Sequence, residues 1–586
     1  MNLLLTITVA LSSLLPKAGD SYWRDSIPQE MRHSYIAYGE RYQGKPWTTL
    51  PWTTFAENKI NGNRVNYENA CFEKRRQLAA LVMAEVMEGK GRFLSDIING
   101  MGSFCEETWW GIPAHYGRRI PLAGIQEVDL FNAETASLIA WTRYMLEPQF
   151  DKFSPDLCRR IDSEIERRIL KPALAKDYWW KTAGMNWNPW ICSNWLACVL
   201  ICEKSKEQKE KAFDQIRKST DAFINAYPDD GGCDEGPGYW DRAAASMFEI
   251  LRLMPDYRGN TDKIRRMAAY SYKTYIGNDY CVNFADAHEN KAVQQVNIVY
   301  PFGLFLGDRT MREFGAWLGR QRNILADPAS LYDRSGNFPT LGRELMFLRH
   351  IREFMAEAPR EPQTKDTWLG NLQIMTARRN GLFVAMKGGT NGESHNHNDV
   401  GSFIVYADGP LFIDPGVGEY TAKTFGKERY GIWTMQSQYH NLPQINGCNQ
   451  KEGKEHAAKV ISHKEGRLTL DIAGAYTKEA AVESWKRTLA AEKTGIRITE
   501  DYSLSNFRQK ARLMLMTTEK PETTPGCVMV GKHRVNFDKN QMEATVEDLS
   551  TMLDPLLQGM WGRNMYRIVL TVKSTEKKNR ISYTIK

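Results

Sequence analysis

The 586-residue sequence has no Cys-x-x-Cys pair, so its ten cysteines carry neither a zinc-ribbon nor a redox signature. Cys198 and Cys202 lie one helical turn apart in an apolar run, and most of the ten read as buried free thiols. Blocks of lysine or arginine are missing too. The 77 basic and 70 acidic residues are interspersed, with a formal net charge of +7, which disfavours a dedicated duplex binder and leaves a polyanionic ligand or ordinary surface charge. Low-complexity segments and short tandem repeats are absent, which excludes a simple solenoid. Beyond the first fifteen residues no apolar run is long enough to span a bilayer. The opening run, Leu3 to Leu15, has signal-peptide length, and residues 1–20 are expected to be a leader that sends the chain to the periplasm or outside the cell. It lacks a basic n-region, and the cleavage site near Lys17, Ala18 and Gly19 is poor.

What is present is ordinary globular composition, 42% hydrophobic and 25% charged, in a chain too long for one core. From about Ser21 to Pro359 helical patterns recur, among them Asn69 to Met87, Asp129 to Leu146, Pro155 to Leu170, Trp195 to Ser205, Lys206 to Ala226, Ala243 to Leu253, Asp262 to Ile276 and Leu341 to Ala356. Thirteen of the seventeen tryptophans precede Thr367, so flat faces suited to stacking on sugar rings concentrate in this half, although core filling explains most single tryptophans equally well. After Thr367 the apolar period becomes two. Strands are expected over Gly381 to Lys387, Ser402 to Ala407, Pro410 to Ile413, Ala458 to Ser462, Leu468 to Ile472, Gly495 to Tyr502, Ala511 to Met516 and Tyr566 to Val572. The expected class is α+β and multidomain: a helical (α/α) toroid over residues 21–362, then an antiparallel β-sandwich over residues 363–586. Such an architecture is expected to place a ligand cleft at the domain boundary.

Three constellations carry chemistry. Ser394-His395-Asn396-His397-Asn398-Asp399 holds two of only ten histidines, followed by Asp414 and then His440. On an extended segment His395 and His397 would project to one face, either as two metal ligands or with one binding metal and the other facing the cleft. His397, Asp414 and His440 form a two-imidazole, one-carboxylate set suited to one structural zinc, against the alternative of hydrogen-bonded polar residues without metal. The His-x-His-x-Asp string also occurs in metallo-β-lactamase-type hydrolases, but there a second histidine follows the aspartate, and here Val400 does. The second constellation, Asp229 to Arg242, packs glycines and a proline around Tyr239 at the entrance of a helix expected near Trp240, which would expose Tyr239 on the concave face of the toroid. In the third, Asn186 to Trp195, Asn188 and Asn194 sit among aromatics, and an amide such as Asn194 can donate to a carboxylate without being charged itself.

In order and placement these residues resemble the heparinase II/III-like polysaccharide lyases. The resemblance spans nearly the whole chain through Glu106 to Tyr116, Asn194-Trp195, Glu235 to Tyr239, and His395 to Phe403. It implies that Asn194 neutralises the uronate carboxylate, that Tyr239 is the acid or base with His395 its proton-transfer partner, and that His397, Asp414 and His440 hold the metal. The expected substrate contacts are His115, Tyr116, Arg118, Asn188, Glu235, Arg242 and Arg429. The expected reaction is β-elimination on a uronic-acid-containing polymer, heparan-type polymers being favoured by resemblance only. No nucleic-acid partner and no integral membrane segment are expected. Two rivals stay open: a toroid glycoside hydrolase using Glu106, Glu107, Asp234 or Glu235 as a carboxylate pair, and a non-catalytic carbohydrate-binding protein with a structural metal.

Overall fold

A computed structural model describes residues 15–286, 295–327, 340–393 and 395–586. Most of the expected leader, residues 1–14, and Ser394 of the histidine motif lie outside the described residues. The chain is helix-rich in its N-terminal half and built of antiparallel sheets in its C-terminal half, as the sequence leads one to expect. Each of its two compact units is assembled from several chain segments. The helical unit takes described residues 15–227, 241–268, 295–327 and 340–361; the sheet-rich unit takes 228–240, 269–286 and the described residues from Pro362 to Lys586.

Ten helices make up most of the helical unit: α1 (Gln29–Glu40), α2 (Val65–Glu88), α3 (Leu130–Phe153), α4 (Pro155–Ile165), α5 (Trp187–Cys202), α6 (Lys206–Ala226), α7 (Ala244–Leu253), α8 (Val296–Leu306), α9 (Arg309–Gln321) and α10 (Leu341–Leu348). The central one is α5, which packs on α3, α6 and α7. Its apolar residues cover all sides, the pattern of a helix with no solvent face. It begins eight residues before the expected Trp195. Pro189 is tolerated because it falls in the first turn, where the backbone N–H has no intrahelical acceptor to lose. Asp129 caps α3 by accepting from the Asn132 N–H at 2.7 Å. The helix expected to run to Ile276 stops at Lys273, and Tyr275–Gly277 pairs as a strand with Tyr280–Cys281.

In the sheet-rich unit β1 (Asp366–Leu369), β2 (Ile374–Arg379), β3 (Leu382–Lys387), β4 (Phe403–Tyr406) and β5 (Pro410–Phe412) form one sheet in chain order. A larger eight-stranded sheet includes β6 (Arg467–Asp471), β7 (Val482–Glu492) and β8 (Gly495–Leu504), and a four-stranded one includes β9 (Arg512–Thr517) and β10 (Tyr566–Val572). A single apolar core draws on all three, with Met375 and Val384 from the first, Leu489 and Ile498 from the second, and Leu513 and Ile568 from the third. The histidine motif lies in the connection leading into β4, and Asp414 lies just beyond β5.

Candidate active site

The segment carrying the two histidines is not extended. His395 adopts φ +53°, the left-handed region that a non-glycine residue enters only when its surroundings enforce it. The backbone N–H of Asp286 donates to the His395 carbonyl at 3.1 Å. This turn breaks the alternation that would set both imidazoles on one face. The rings converge instead on the two oxygens of the Asp286 carboxylate, His395 Nδ1 lying 2.9 Å from Oδ2 and His397 Nε2 3.1 Å from Oδ1. Their burial differs: His397 is fully buried, whereas His395 stays partly open.

Asp286 also accepts from Arg429 Nη2 at 2.5 Å and from the Tyr420 hydroxyl at 3.3 Å. Burial alone would raise its pKa, but the hydrogen bonds from His395 and His397, the His397 charge and the Arg429 bond outweigh it and hold the carboxyl far below the usual range. Burial would likewise lower His395, yet the Asp286 hydrogen bond and the charges of Glu235 and Asp286 raise it above an ordinary histidine.

Tyr239 lies in the four-residue helix Pro237–Trp240, part of the sheet-rich unit and not of the helical one. Gly236 makes the preceding turn possible: its φ is +91°, and a Cβ there would stand 2.9 Å from the Phe284 carbonyl oxygen. The Tyr239 ring packs on the His395 ring with centroids 4.7 Å apart, and its hydroxyl is 3.1 Å from that of Tyr420. With the Tyr420 hydrogen directed to Asp286, Tyr239 is the donor in that pair. Glu235 is buried, with Oε2 3.6 Å from His395 Nε2.

His397, Asp414 and His440 form a group that could hold a metal ion. One ligand atom from each lies within 4.8 Å of the others, and all three residues are fully buried. His440 Nε2 is 2.9 Å from the Thr434 carbonyl, a pure acceptor, so Nε2 carries the hydrogen. In the neutral ring Nδ1 then presents a lone pair to Asp414 Oδ2, 3.1 Å away. His397 Nε2 is committed to Asp286, and its Nδ1 is buried without a hydrogen-bond partner among the described residues. Lone pairs facing one another in a dry site need a proton or a metal ion between them. Below the set, the buried Arg487 guanidinium donates through Nη1 to the carbonyls of Gly401 at 2.9 Å and Asn441 at 2.6 Å, joining the two ligand-bearing loops.

The remaining expected residues lie in the helical unit, Arg429 apart. Asn194 donates to the Trp190 carbonyl at 2.8 Å and lines a polar cavity with Glu134, Arg242, Glu249 and Arg252. Arg242 pairs with Glu134 at 2.7 Å and lies over the Trp190 ring. Asn188 is fully buried, and its amide hydrogens go to the carbonyls of Lys181, Ala183 and Ser219. Tyr116 is buried and accepts from the Leu122 N–H, while Arg118 is exposed. His115 pairs with Asp129 at 2.7 Å and stacks near Trp187, which in turn meets Trp179 at 5.0 Å; Trp179 is 56% exposed, so this patch keeps an open aromatic face. Arg429 spends its guanidinium on Asp286 and on the carbonyls of Asn396 and Thr424. Both oxygens of Glu107, a candidate acid in the hydrolase reading, are held by Lys74 and Arg75. Sequence reasoning missed Asp286 and Tyr420. Neither lies in a motif, and Asp286 is separated from His395 by 109 positions.

No family model matches this chain, and no curated protein matches it by sequence. Solved structures do. The chain is similar to heparinase III at 13% identity and TM-score 0.65, covering 99% of this chain and 89% of that one. A variant of heparan sulfate lyase HepC from Pedobacter heparinus is matched at 12% identity and TM-score 0.59, covering 100% of this chain and 87% of that one. A variant of chondroitin AC lyase from Streptomyces coelicolor A3 follows at 10% identity and TM-score 0.53, with 100% and 82% coverage. Over essentially its whole length the chain therefore has the fold of these lyases.

Proposed function

We propose that this chain is a polysaccharide lyase that cleaves a uronic-acid-containing polysaccharide by β-elimination, heparan sulfate or a heparin-like glycosaminoglycan being the favoured polymer. The observation that carries the reading is the partly open Tyr239 ring packed on His395, in a chain with the fold of three such lyases. The hydrolase reading is the weaker one, because Glu107 is bound up in two salt bridges and the Tyr239–His395 pair would have no task.

Elimination needs a base for the C5 proton and an acid for O4. The C5–H electron pair becomes the C4–C5 double bond, the C4–O4 bond breaks, and O4 leaves with a proton; no water is consumed. Where C5–H and O4 lie on one side of the ring, Tyr239 serves both ends. Where they lie on opposite sides, His395 Nε2 takes the proton and Tyr239 returns one to O4. On the sequence resemblance, the uronate carboxylate is assigned to Asn194, whose N–H would stabilise charge growing in the enolate-like transition state.

His397, Asp414 and His440 are assigned one zinc ion, whose contribution when bound is structural, clamping the loop into β4 to the segments after β5 and before β6. Protein purified without added zinc should hold one equivalent by elemental analysis. A wild type free of metal, with a His440→Ala variant of unchanged melting, would remove the site. Among the described residues no helix is long and apolar enough to cross a membrane. A polymer substrate and the apolar opening of the sequence support an exported enzyme, acting in the periplasm or outside the cell.

The test is direct. Incubated with heparan sulfate, hyaluronan, chondroitin sulfate and alginate, the protein should generate the ultraviolet absorbance of a 4,5-unsaturated uronate on at least one. New reducing ends without that absorbance would mean hydrolysis.

A further inference from the structure

We propose that Asp286 is a positioning residue shared by the two centres, its carboxylate setting the tautomer of His395 and of His397 at the same time. The inference rests on the lyase reading and adds to it a residue that no sequence motif contains.

The geometry carries it. Oδ2 takes the hydrogen of His395 Nδ1 at 2.9 Å, and Oδ1 takes that of His397 Nε2 at 3.1 Å. A carboxylate offers only acceptor positions, so both facing nitrogens must carry hydrogen. In each neutral ring the lone pair then sits on the far nitrogen: Nε2 of His395, beside Tyr239 and Glu235, and Nδ1 of His397, which is buried without a hydrogen-bond partner among the described residues. One carboxylate thus selects opposite tautomers in two rings and aims each lone pair at its own task. A metal-ligating imidazole is ordinarily oriented in this way by its other nitrogen. Three further contacts fix Asp286 itself: its N–H grips the carbonyl of the strained His395, Arg429 Nη2 donates to Oδ1 at 2.5 Å, and Tyr420 donates to Oδ2 at 3.3 Å. Arg429 Nη2 also donates to the Asn396 carbonyl at 3.0 Å, so the peptide between the two histidines is tied to the same group.

Asparagine at this position separates the two roles. Its single acceptor oxygen stays with Arg429 and His397, where the stronger charge-assisted bond lies, and its NH₂ turns to His395 Nδ1. That ring must then move its hydrogen to Nε2 and lose the lone pair facing the substrate. In a serine-protease triad the matching aspartate-to-asparagine change costs about 10⁴ in kcat through the wrong tautomer.

The experiment measures kcat, KM, zinc affinity by chelator competition, and melting for wild type, Asp286→Asn and Asp286→Ala, each purified with its metal. Asp286→Asn should lose about 10²-fold or more in kcat with KM within about threefold and zinc affinity near wild type. Asp286→Ala should lose kcat and also bind zinc about 10–100-fold more weakly. Wild-type kcat in Asp286→Asn, unchanged zinc affinity in Asp286→Ala, or a wild type that takes up no zinc would overturn the shared role. Failure of both variants to fold would make Asp286 a structural residue and also overturn it. A wild type that forms no unsaturated product on any uronate polymer overturns the lyase reading instead, an outcome the variants cannot mimic.

Discussion

At the scale of single residues, one backbone position and one buried acid carry consequences. Gly236 is held at φ +91° against the Phe284 carbonyl, and that neighbour is backbone that cannot swing away. Gly236→Ala should displace the turn bearing Tyr239 and lower kcat at least about tenfold, and it should lower melting as well, because strain of a few kcal/mol falls on a buried turn. Kinetics and thermal melting of the same preparation check this. Glu344 in α10 is fully buried, bonded by Tyr35 and by Asn297 Nδ2 at 2.7 Å, and burial pushes its pKa from 4.5 up to about 7 despite those bonds. A carboxyl raised on folding stabilises in its protonated form. Its contribution is therefore complete below about pH 4.5 and is lost as pH rises through about 7, by about 3 kcal/mol at most. Glu344→Gln should flatten this part of the profile, so that melting of the variant between pH 4.5 and 7.5 falls less than that of wild type. Parallel slopes would contradict it.

At the scale of elements, some of the structure could be read from the sequence and some could not. Lys206–Ala226 is found as expected, because Ser205 caps it and its apolar residues recur at helical spacing. The start of α5 was hidden by Pro189, which reads as a breaker until it is known to occupy the first turn. No strand is expected over Val482–Glu492, although β7 is among the longest in the protein. The inward positions of its alternation are Trp485, Arg487 and Leu489, and a charge at the middle one disguises the pattern. That arginine is buried because Glu500 on β8 neutralises it and two loop carbonyls accept its hydrogens. Arg487→Met would strand the Glu500 charge and free both loops. Loss of one partner of a buried pair costs roughly 3 kcal/mol or more, which corresponds to a fall of about 6 °C or more in melting. Zinc should also bind more weakly. Melting within a degree or two of wild type would show that Arg487 is not the tie between those loops.

At the scale of the whole molecule, the sequence placed Tyr239 in the helical half and the histidines in the sheet half, whereas Tyr239, Asp286 and His395 belong to one unit assembled from separate stretches of chain. That interleaving leaves no local signal, since residues 228–240 and 269–286 lie between helical segments and join the sheets only in three dimensions. The histidine cluster was legible because histidine is scarce, and the grouping of His397, Asp414 and His440 because two imidazoles and a carboxylate stand out as residue types. Asp286 was not, because an aspartate becomes a hub only through what surrounds it. The central claim, that Tyr239 beside His395 transfers protons in an elimination, is tested most directly by ultraviolet absorbance of wild type and Tyr239→Phe on the same panel of uronate polymers. The account predicts rising absorbance from unsaturated ends with wild type and a loss of about 10²-fold or more with Tyr239→Phe. Chain cleavage without that absorbance, or a Tyr239→Phe enzyme as fast as wild type, would contradict it.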